Sequence, residues 1–159
     1  MTDVRPIITL TTDFGTQDAY VASMKGVISS ICRQARVLDI SHDIPSQNIH
    51  HAAYVLGASY RYFPKGTVHV AVVDPGVGSE RDPIYIHTPD YDFIAPDNGI
   101  LSFVSQQEPV QEIYRLNNDI YFHKPVSDTF HGRDIFSACG AHRANGICLL
   151  YTSDAADES

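Results

Sequence analysis

The sequence has no tryptophan, two methionines and only three cysteines in 159 residues. The cysteines, Cys32, Cys139 and Cys148, are widely spaced and form no CxxC pair. This spacing argues against both a disulfide framework and a zinc site. We therefore expect a protein of the reducing cytoplasm.

Positive charge is also scarce, with 11 Lys and Arg against 19 Asp and Glu, a net charge of −8 and no basic run. A surface that follows nucleic-acid phosphates needs clustered Lys and Arg, so nucleic acid is not an expected partner. Long apolar runs are missing as well. The stretch that begins at Ile7 is interrupted by Asp13, too early for a signal sequence or a membrane span. No membrane association is expected.

Core-forming residues are abundant, since 43% of the sequence is hydrophobic and 10% is aromatic. The length suits one globular domain, which we place at residues 1–147. Residues 148–159, CLLYTSDAADES, follow without a turn signal. One interpretation is a disordered polar tail. We favour another, because the string resembles the translation of a transposon adapter used in sequencing libraries. The tail would then be non-native, and the natural domain would continue beyond Ile147.

Runs of β-branched residues alternate with apolar residues at helical spacing. The predicted strands are 7–12, 36–40, 67–73, 84–87, 93–95 and 111–115, and the predicted helices are 18–32, 49–63 and 135–144. The order β-α-β-α-β predicts right-handed crossovers and an α/β fold, with a mostly parallel central sheet and helices on both faces. Asp18 is suited to the N-cap or first turn of the first helix.

Two predicted strands end at an acid, Asp13 and Asp74. Ligands of such sheets bind beyond the carboxyl ends of the strands, so the loops TTDFGTQD and VDPGVGSER are the predicted site. Asp13 could simply form a turn, but its carboxylate could also accept two hydrogen bonds from a vicinal diol such as a ribose. The second loop lacks GK[ST] and GxGxxG, so it is neither a P-loop nor a dinucleotide fingerprint. It could be a structural turn with Asp74 and Arg81 paired at its neck.

Two further motifs are PDNG at 96–99, a strong turn signal, and TFHGRD at 129–134. The second places His131 beside Gly132 just before a helix, with Asp134 available for the first turn. We interpret the remaining histidines as ordinary polar surface or loop residues; they are His42, His50, His51, His69, His87, His123 and His142.

Five segments, taken in order, carry a family resemblance. They are TTDFGTQDAYVASMKGVI, DISHDIP, FPKGTVHVAVVDPGVGSER, APDNGILS and TFHGRDIFS. Together they resemble the S-adenosyl-L-methionine (SAM) hydroxide adenosyltransferases, adenosine-forming SAM hydrolases related to the SAM-dependent fluorinase and chlorinase. The matches cover nearly all of residues 7–140.

The resemblance implies hydrolysis of SAM to adenosine and L-methionine, by in-line attack of an activated water at the ribose C5′. SAM is then the substrate, and neither a cofactor nor a metal is expected. The residues that match the water-handling set are Asp74, Arg81 and His131. Arg81 can keep Asp74 ionised and favour hydroxide character at the water. Whether Asp74 or His131 is the base stays open.

The resemblance also implies substrate-binding residues. Asp13 would hold the ribose diol, Asp18 would lie near the methionine portion, and Asn98 and Gly132 would also contact the substrate. Family members are expected to form homotrimers, with each site between one subunit's sheet domain and a neighbour's smaller C-terminal β-barrel. That barrel domain is absent from this sequence, so an inactive SAM- or adenosine-binding fragment is an alternative.

Two other activities are less consistent with the sequence. The halogenating relatives carry an inserted loop between the glycine-rich turn and PDNG, whereas only fourteen residues separate Arg81 from Pro96 here. The sequence therefore favours hydrolysis over a halogenase-like reaction. A metal-dependent hydrolase ranks last, because no HExxH or HxxEH spacing or other ligand cluster is present.

Overall fold

The computed structural model describes residues 4–77, 81–110 and 112–149. Its strands are β1 Ile7–Thr12, β2 Arg36–Ser41, β3 Val68–Val72, β4 Pro83–His87, β5 Asp92–Pro96 and β6 Glu112–Arg115. Its α-helices are α1 Tyr20–Ile31, α2 Ile49–Ser59, α3 Ser102–Gln107 and α4 Ala138–Ala144. A π-helical segment, Gly132–Ser137, leads directly into α4.

The strands form one sheet in the order β2-β1-β3-β5-β4-β6. The strands β2, β1, β3 and β5 run parallel to one another, and β4 pairs antiparallel with both β5 and β6. The β4 to β5 connection is too short for a crossover, so these two strands form a hairpin. The predicted α/β fold with a mostly parallel sheet is confirmed.

Alternate residues of the strands face two separate cores, as the two-residue period of a strand requires. On one face Val70 of β3 packs in a core with Met24 of α1 and Phe136 of the π-helical segment. On the other face Ala71 packs in a core with Leu56 of α2. The strand β3 is buried on both sides, which explains why all its residues except His69 are apolar. Helices cover both faces, as predicted.

The first two helices differ from their predicted bounds. The helix α1 begins at Tyr20 with Ala19 at its N-cap, and the first helical bond runs from the Ser23 N–H to the Ala19 carbonyl. The prediction that Asp18 occupies the N-cap or first turn was therefore wrong, because the chain is still in irregular bends at that residue. The helix α2 begins as predicted, with Asn48 capping it through the His51 N–H. It ends at Ser59 and continues as a 3-10 turn.

Other differences fall in the second half of the chain. The six-residue helix α3 was not predicted, because it is too short to show a helical period. It follows the PDNG turn, where Gly99 adopts a φ of +93°. The predicted strand at 111–115 is observed from Glu112, and residue 111 lies outside the described residues.

Most of the predicted non-native tail, residues 150–159, also lies outside the described residues. Of the two tail residues that are described, Cys148 is partly exposed and Leu149 is 3% exposed and belongs to the core on the α1 face. The origin of this segment stays a prediction. Within the described ranges the chain forms the sheet domain and no barrel. No helix there combines the length and apolar character needed to cross a membrane.

Candidate active site

A cleft of about 410 Å³ lies at the carboxyl ends of β1 and β3. Asp13 is the first residue after β1 and Asp74 is the second residue after β3, and the two strands are parallel neighbours in the sheet. The acids therefore meet at one edge although sixty residues separate them in sequence. The lining residues are Asp13, Phe14, Tyr20, Ser46, Gln47, Val72, Asp74, Val77, Thr129, Phe130, His131 and Gly132.

Asp74 and Arg81 form a nearly buried ion pair at the cleft. Arg81 Nε donates to both carboxylate oxygens of Asp74, at 2.9 and 3.0 Å, and Arg81 Nη2 also donates to Oδ2. The side chains are only 5% (Asp74) and 10% (Arg81) exposed. The guanidinium also lies 5.4 Å from the centre of the Phe136 ring. This two-point contact fixes the Asp74 carboxylate in one orientation.

His131 completes this cluster through its Nδ1 atom, which lies 3.0 Å from Arg81 Nη2. A guanidinium can only donate hydrogen bonds, so Nδ1 is the acceptor and the proton of the neutral ring is on Nε2. Burial, followed by the Arg81 cation, lowers the pKa of His131 below its ordinary value. The imidazole is therefore neutral at physiological pH. The structure brings the three predicted water-handling residues into direct contact.

The π-helical segment sets the position of His131. Its first residue, Gly132, lines the cleft, and a Cβ there would lie 3.2 Å from the Phe14 ring and 3.4 Å from Val72. A glycine is therefore the residue that fits this close packing. Asp134 lies in the first turn, as predicted, and is fully buried. Its Oδ2 accepts the Ser127 N–H at 2.7 Å, which ties the preceding loop to the helix.

The side chain of Asp13, in the loop after β1, accepts a hydrogen bond from the loop after β2. The backbone N–H of Gln47 donates to Asp13 Oδ2 at 2.7 Å. Gln47 has a φ of +62°, a conformation that is uncommon for a residue other than glycine. Ser46 and Gln47 both line the cleft, and neither was predicted as a site residue. The only signal was that the segment SHDIPSQN is a polar loop after a strand.

Three aromatic rings, Phe14, Tyr20 and Phe130, form an aromatic wall of the cleft. Their centroids lie 5.3 to 5.8 Å apart, and Phe130 meets the other two edge-on. All three line the cleft, and none was predicted as a site residue. Phe14 and Phe130 stand beside predicted residues in the DFG and FHG motifs, which is the signal that was available.

Two predicted substrate-binding residues lie outside the cleft lining. Asn98 Nδ2 donates to the Val73 carbonyl at 2.9 Å, and its Oδ1 accepts the Ile100 N–H at 3.2 Å. Asn98 therefore supports the end of β3 from which Asp74 projects. Asp18 is exposed and precedes α1. Contact of either residue with a substrate stays a prediction, as it does for Asp13 and Gly132 within the cleft.

His69 contradicts its interpretation as a polar surface or loop residue, and His42 is a loop residue as predicted but is buried. His42 is 5% exposed and His69 is completely buried. His69 lies in β3, where its Nδ1 meets the Thr9 hydroxyl at 2.6 Å and its ring stacks on Phe93. Burial lowers the pKa of His69 to about 3. Both histidines have hydroxyl partners on β1, a pairing that the sequence does not reveal.

Metal ligation has no candidate cluster in the part of the chain that the structure describes. No group of three or more His, Cys, Asp or Glu residues there is arranged to hold a metal ion. Among the polar side chains that line the cleft are the carboxylates of Asp13 and Asp74 and the neutral imidazole of His131. Arg81 is not a lining residue and lies behind Asp74 and His131, which it contacts.

Proteins similar in sequence to this chain are named either SAM hydrolase or fluorinase. A Methanocaldococcus jannaschii protein named (R)-S-adenosyl-L-methionine hydrolase is 47% identical over 144 residues, covering 87% of this chain and 53% of its own length. A Salinispora tropica protein of the same name is 37% identical, covering 97% and 59%. An Actinopolyspora mzabensis fluorinase is 29% identical, covering 91% and 56%. The chain thus spans little more than half the length of these relatives.

Solved structures share the fold and match the described sheet domain. A conserved protein from Thermotoga maritima superimposes with a TM-score of 0.88 at 40% identity, over 91% of this chain and 56% of its own. A conserved protein from Thermus thermophilus gives a TM-score of 0.77 at 32% identity, over 94% and 57%. Residues 8–151 match the family model described as the SAM hydroxide adenosyltransferase N-terminal domain. The fold, the motifs and these matches show that the chain belongs to the SAM hydroxide adenosyltransferase family.

Proposed function

We propose that the full-length protein to which this chain belongs hydrolyses SAM to adenosine and L-methionine. The observation that carries the proposal is that Asp74 and His131 line the same cleft as Asp13 and that Arg81 contacts both of them. Four relatives named as SAM hydrolases, 35 to 47% identical to this chain, support it. The activity is proposed for the longer protein, because the chain covers only 53 to 59% of those relatives.

The cleft is lined by residues that suit two parts of SAM, the ribose diol and the sulfonium beside C5′. Asp13 accepts one hydrogen bond from Gln47, and a carboxylate has about four acceptor positions, so it can also accept from a ribose diol. The sulfonium carries a positive charge next to C5′. Aromatic faces attract such cations, and Phe14, Tyr20 and Phe130 supply them. Gly132 also lines the cleft, where its lack of a side chain leaves room for the Phe14 ring.

The proposed reaction is a single displacement at C5′. The water oxygen forms a bond to C5′ while the C5′–S bond breaks, and sulfur keeps the electron pair. The sulfonium thereby becomes the neutral thioether of L-methionine, and the water releases one proton as adenosine forms. Because the leaving group is neutral, no general acid is needed to expel it. The protein has to hold the water in line and accept its proton, and such positioning contributes up to about 7–11 kcal/mol.

We assign proton acceptance to Asp74. Neutral His131 already uses Nδ1 to accept from Arg81, so taking a proton there would place two cations side by side. Asp74 Oδ1 accepts one bond from Arg81 and keeps a second acceptor position for the water. Arg81 stabilises the negative charge that develops on the water oxygen as its proton leaves. His131 then acts by fixing the Arg81 guanidinium.

The test uses the full-length protein, expressed from the complete gene in which residues 1–147 are encoded. Incubation with SAM should release adenosine and L-methionine in equal amounts, measured by chromatography and mass spectrometry. The same rate is expected in EDTA, since the proposed reaction involves no metal. Binding of SAM without release of adenosine would reject the hydrolase proposal. Loss of turnover in EDTA would reject the metal-free mechanism.

A second candidate is a SAM- or adenosine-binding fragment without catalysis. It is favoured by the short span of this chain relative to its relatives, combined with an Asp13 site that is built within the described residues. Calorimetry of the 159-residue chain with SAM and with adenosine tests it. Heat of binding without turnover would support this candidate, and no heat with either ligand would reject it.

A halogenase-like reaction is the third candidate, since fluorinases are 26 to 29% identical to this chain. The alignment with the Actinopolyspora fluorinase extends over 168 positions while covering 91% of this chain, so that relative has residues without a counterpart here. Hydrolysis is therefore preferred. Adding fluoride or chloride to the SAM reaction should produce no 5′-halogenated nucleoside, and its appearance would overturn this preference.

Assembly and location complete the proposal. We propose that the full-length protein is a homotrimer, as the family resemblance implies, and that it is cytoplasmic, as the few unpaired cysteines suggest. Light scattering of the full-length protein tests the trimer, and a monomeric mass would reject it. Fractionation of the native cells tests the location.

A further inference from the structure

A chain of hydrogen bonds lies directly behind the Asp13 side of the cleft. The Thr12 hydroxyl meets His42 Nδ1 at 2.7 Å, and His42 Nε2 meets Asp39 Oδ1 at 2.8 Å. Lys25 Nζ donates to Asp39 Oδ2 at 3.0 Å, where the chain reaches the surface. None of these residues lines the cleft, and none has a role in the proposed displacement.

The hydrogen bonds of this chain run in one direction when His42 is neutral. A carboxylate only accepts, so the ring proton is on Nε2 and points at Asp39. Nδ1 then accepts the Thr12 hydroxyl, and the Thr12 oxygen accepts the Phe14 N–H at 3.2 Å. Thr12 is completely buried, so this Thr-His-Asp arrangement is not a nucleophile for a ligand in the cleft. Its effect must be on the position of the neighbouring backbone.

An irregular strand makes the contact between Asp39 and His42 possible. Residues three apart in a regular strand point to opposite faces of the sheet. The register of β1 with β2 shifts after Leu10, so that Thr11 pairs with Ser41 although Leu10 pairs with Asp39. Such bulges redirect side chains and are common beside active sites. His42 follows directly after this shift.

His42 begins the loop that holds Asp13. Its carbonyl accepts the Gly15 N–H at 2.8 Å, so His42 contacts the last residue of β1 through its side chain and the loop after β1 through its backbone. Five residues later, the Gln47 N–H binds Asp13 Oδ2. The segment 42–48 is therefore attached to the β1 loop at its start by His42 and near its end by Gln47.

We propose that His42 is a positioning residue that fixes the segment 42–48 against Asp13 and thereby sets the affinity for SAM. This inference rests on the proposed function, in which Asp13 binds the ribose. The displacement itself belongs to Asp74, Arg81 and His131 on the other side of the cleft. Loss of the His42 contacts should therefore weaken binding and leave the chemical step nearly unchanged.

The main experiment compares His42→Phe and His42→Asn in the full-length protein. Phenylalanine keeps a ring but has no polar atom, whereas asparagine can still accept from the Thr12 hydroxyl. We expect His42→Phe to raise KM for SAM and the adenosine dissociation constant at least about tenfold, with kcat within about threefold. His42→Asn should recover part of the affinity. His51→Asn, at an exposed position of α2, is the matched control and should behave as wild type.

Two further measurements keep the inference testable if His42→Phe folds poorly. Asp39→Ala changes a side chain that is 40% exposed and should cause a smaller loss of affinity in the same direction. Hydrogen exchange of the 42–48 segment should be faster in both variants and unchanged in His51→Asn.

The possible outcomes separate the two proposals. Wild-type protein that binds adenosine but releases none from SAM rejects the hydrolase, while the binding and exchange data still test His42. Unchanged KM and adenosine affinity in His42→Phe, or a loss confined to kcat, overturns the role of His42 alone. Wild-type protein that binds neither ligand overturns both proposals.

Discussion

At the scale of single residues, the ion pair of Asp74 and Arg81 is the feature on which the chemistry depends. Removing one partner of such a pair leaves a buried charge, so a truncation would confuse lost catalysis with lost stability. A substitution that keeps the size and one acceptor oxygen of Asp74 avoids much of this problem. Asparagine meets both conditions.

We expect Asp74→Asn to lower kcat for SAM hydrolysis by about 100-fold or more, because general-base groups contribute roughly 10²–10⁴-fold. KM should change by no more than a few-fold, since Asp13 and the aromatic wall still bind the ligand. Steady-state kinetics of the full-length protein measures both constants.

The matched control for this variant is Asp82→Asn. Asp82 follows Arg81 in the chain, pairs with Arg115 at the surface and does not line the cleft. The Asp82→Asn variant should have the kcat and KM of the wild type. Equal kcat values for Asp74→Asn and wild type would remove Asp74 from the proposed mechanism.

At the scale of elements, the packing of α4 on β3 holds the helical segment that begins after His131. Gly140 of α4 faces Val70, and a Cβ at Gly140 would lie 2.7 Å from Val70 Cγ2. Val70 is buried and β-branched, so it has little freedom to move aside. The helix can approach the sheet this closely only because residue 140 has no side chain.

Gly140→Ala should therefore lower the free energy of unfolding by about 1–3 kcal/mol, the usual cost of overpacking a core. Gly26→Ala is the matched control, because Gly26 is exposed in α1 and a Cβ there would meet nothing within 4 Å. That change should raise the free energy by about 0.5–1 kcal/mol through helix propensity. Urea unfolding of both variants measures the difference, and effects of equal sign would contradict this account.

The sequence predicted most elements because their patterns are local. Strands β1 and β3 are β-branched runs followed by the acids Asp13 and Asp74, and both acids line the cleft. The contacts it missed are made across neighbouring strands. Gln47 binds Asp13 through a backbone N–H, which any residue type except proline could supply, so residue identity gives no signal. His42 and His69 are buried because β1 supplies a hydroxyl to each.

At the scale of the whole molecule, His69 links the stability of the sheet domain to pH. Its pKa is about 3 in the folded protein because of burial, against about 6.5 in an unfolded chain. Above the unfolded value the ring is neutral in both states and contributes no pH dependence. Between these values only the unfolded state binds the proton, so stability falls as the pH falls.

Between these two pKa values, one such histidine changes the free energy of unfolding by about 1.4 kcal/mol per pH unit. We expect wild-type protein to lose about 2 kcal/mol more than His69→Phe between pH 7 and pH 5. Urea unfolding at the two pH values measures this loss, and the comparison of slopes is independent of any constant cost of the substitution. His51→Gln at the exposed α2 position should keep the wild-type slope. Equal slopes for wild type and His69→Phe would show that His69 is not the group responsible.

The placement of Asp13 and Asp74 on neighbouring strands has a consequence for how such a protein can diversify. Under the proposed function, one loop recognises the sugar and a different loop, sixty residues later, handles the nucleophile. The hydrogen-bonded pairing of β1 with β3 holds the two loop bases at a fixed separation. Mutations in the loop after β3 can then change which nucleophile attacks C5′. The loop after β1 can keep its sequence, so the recognition of the sugar is unchanged.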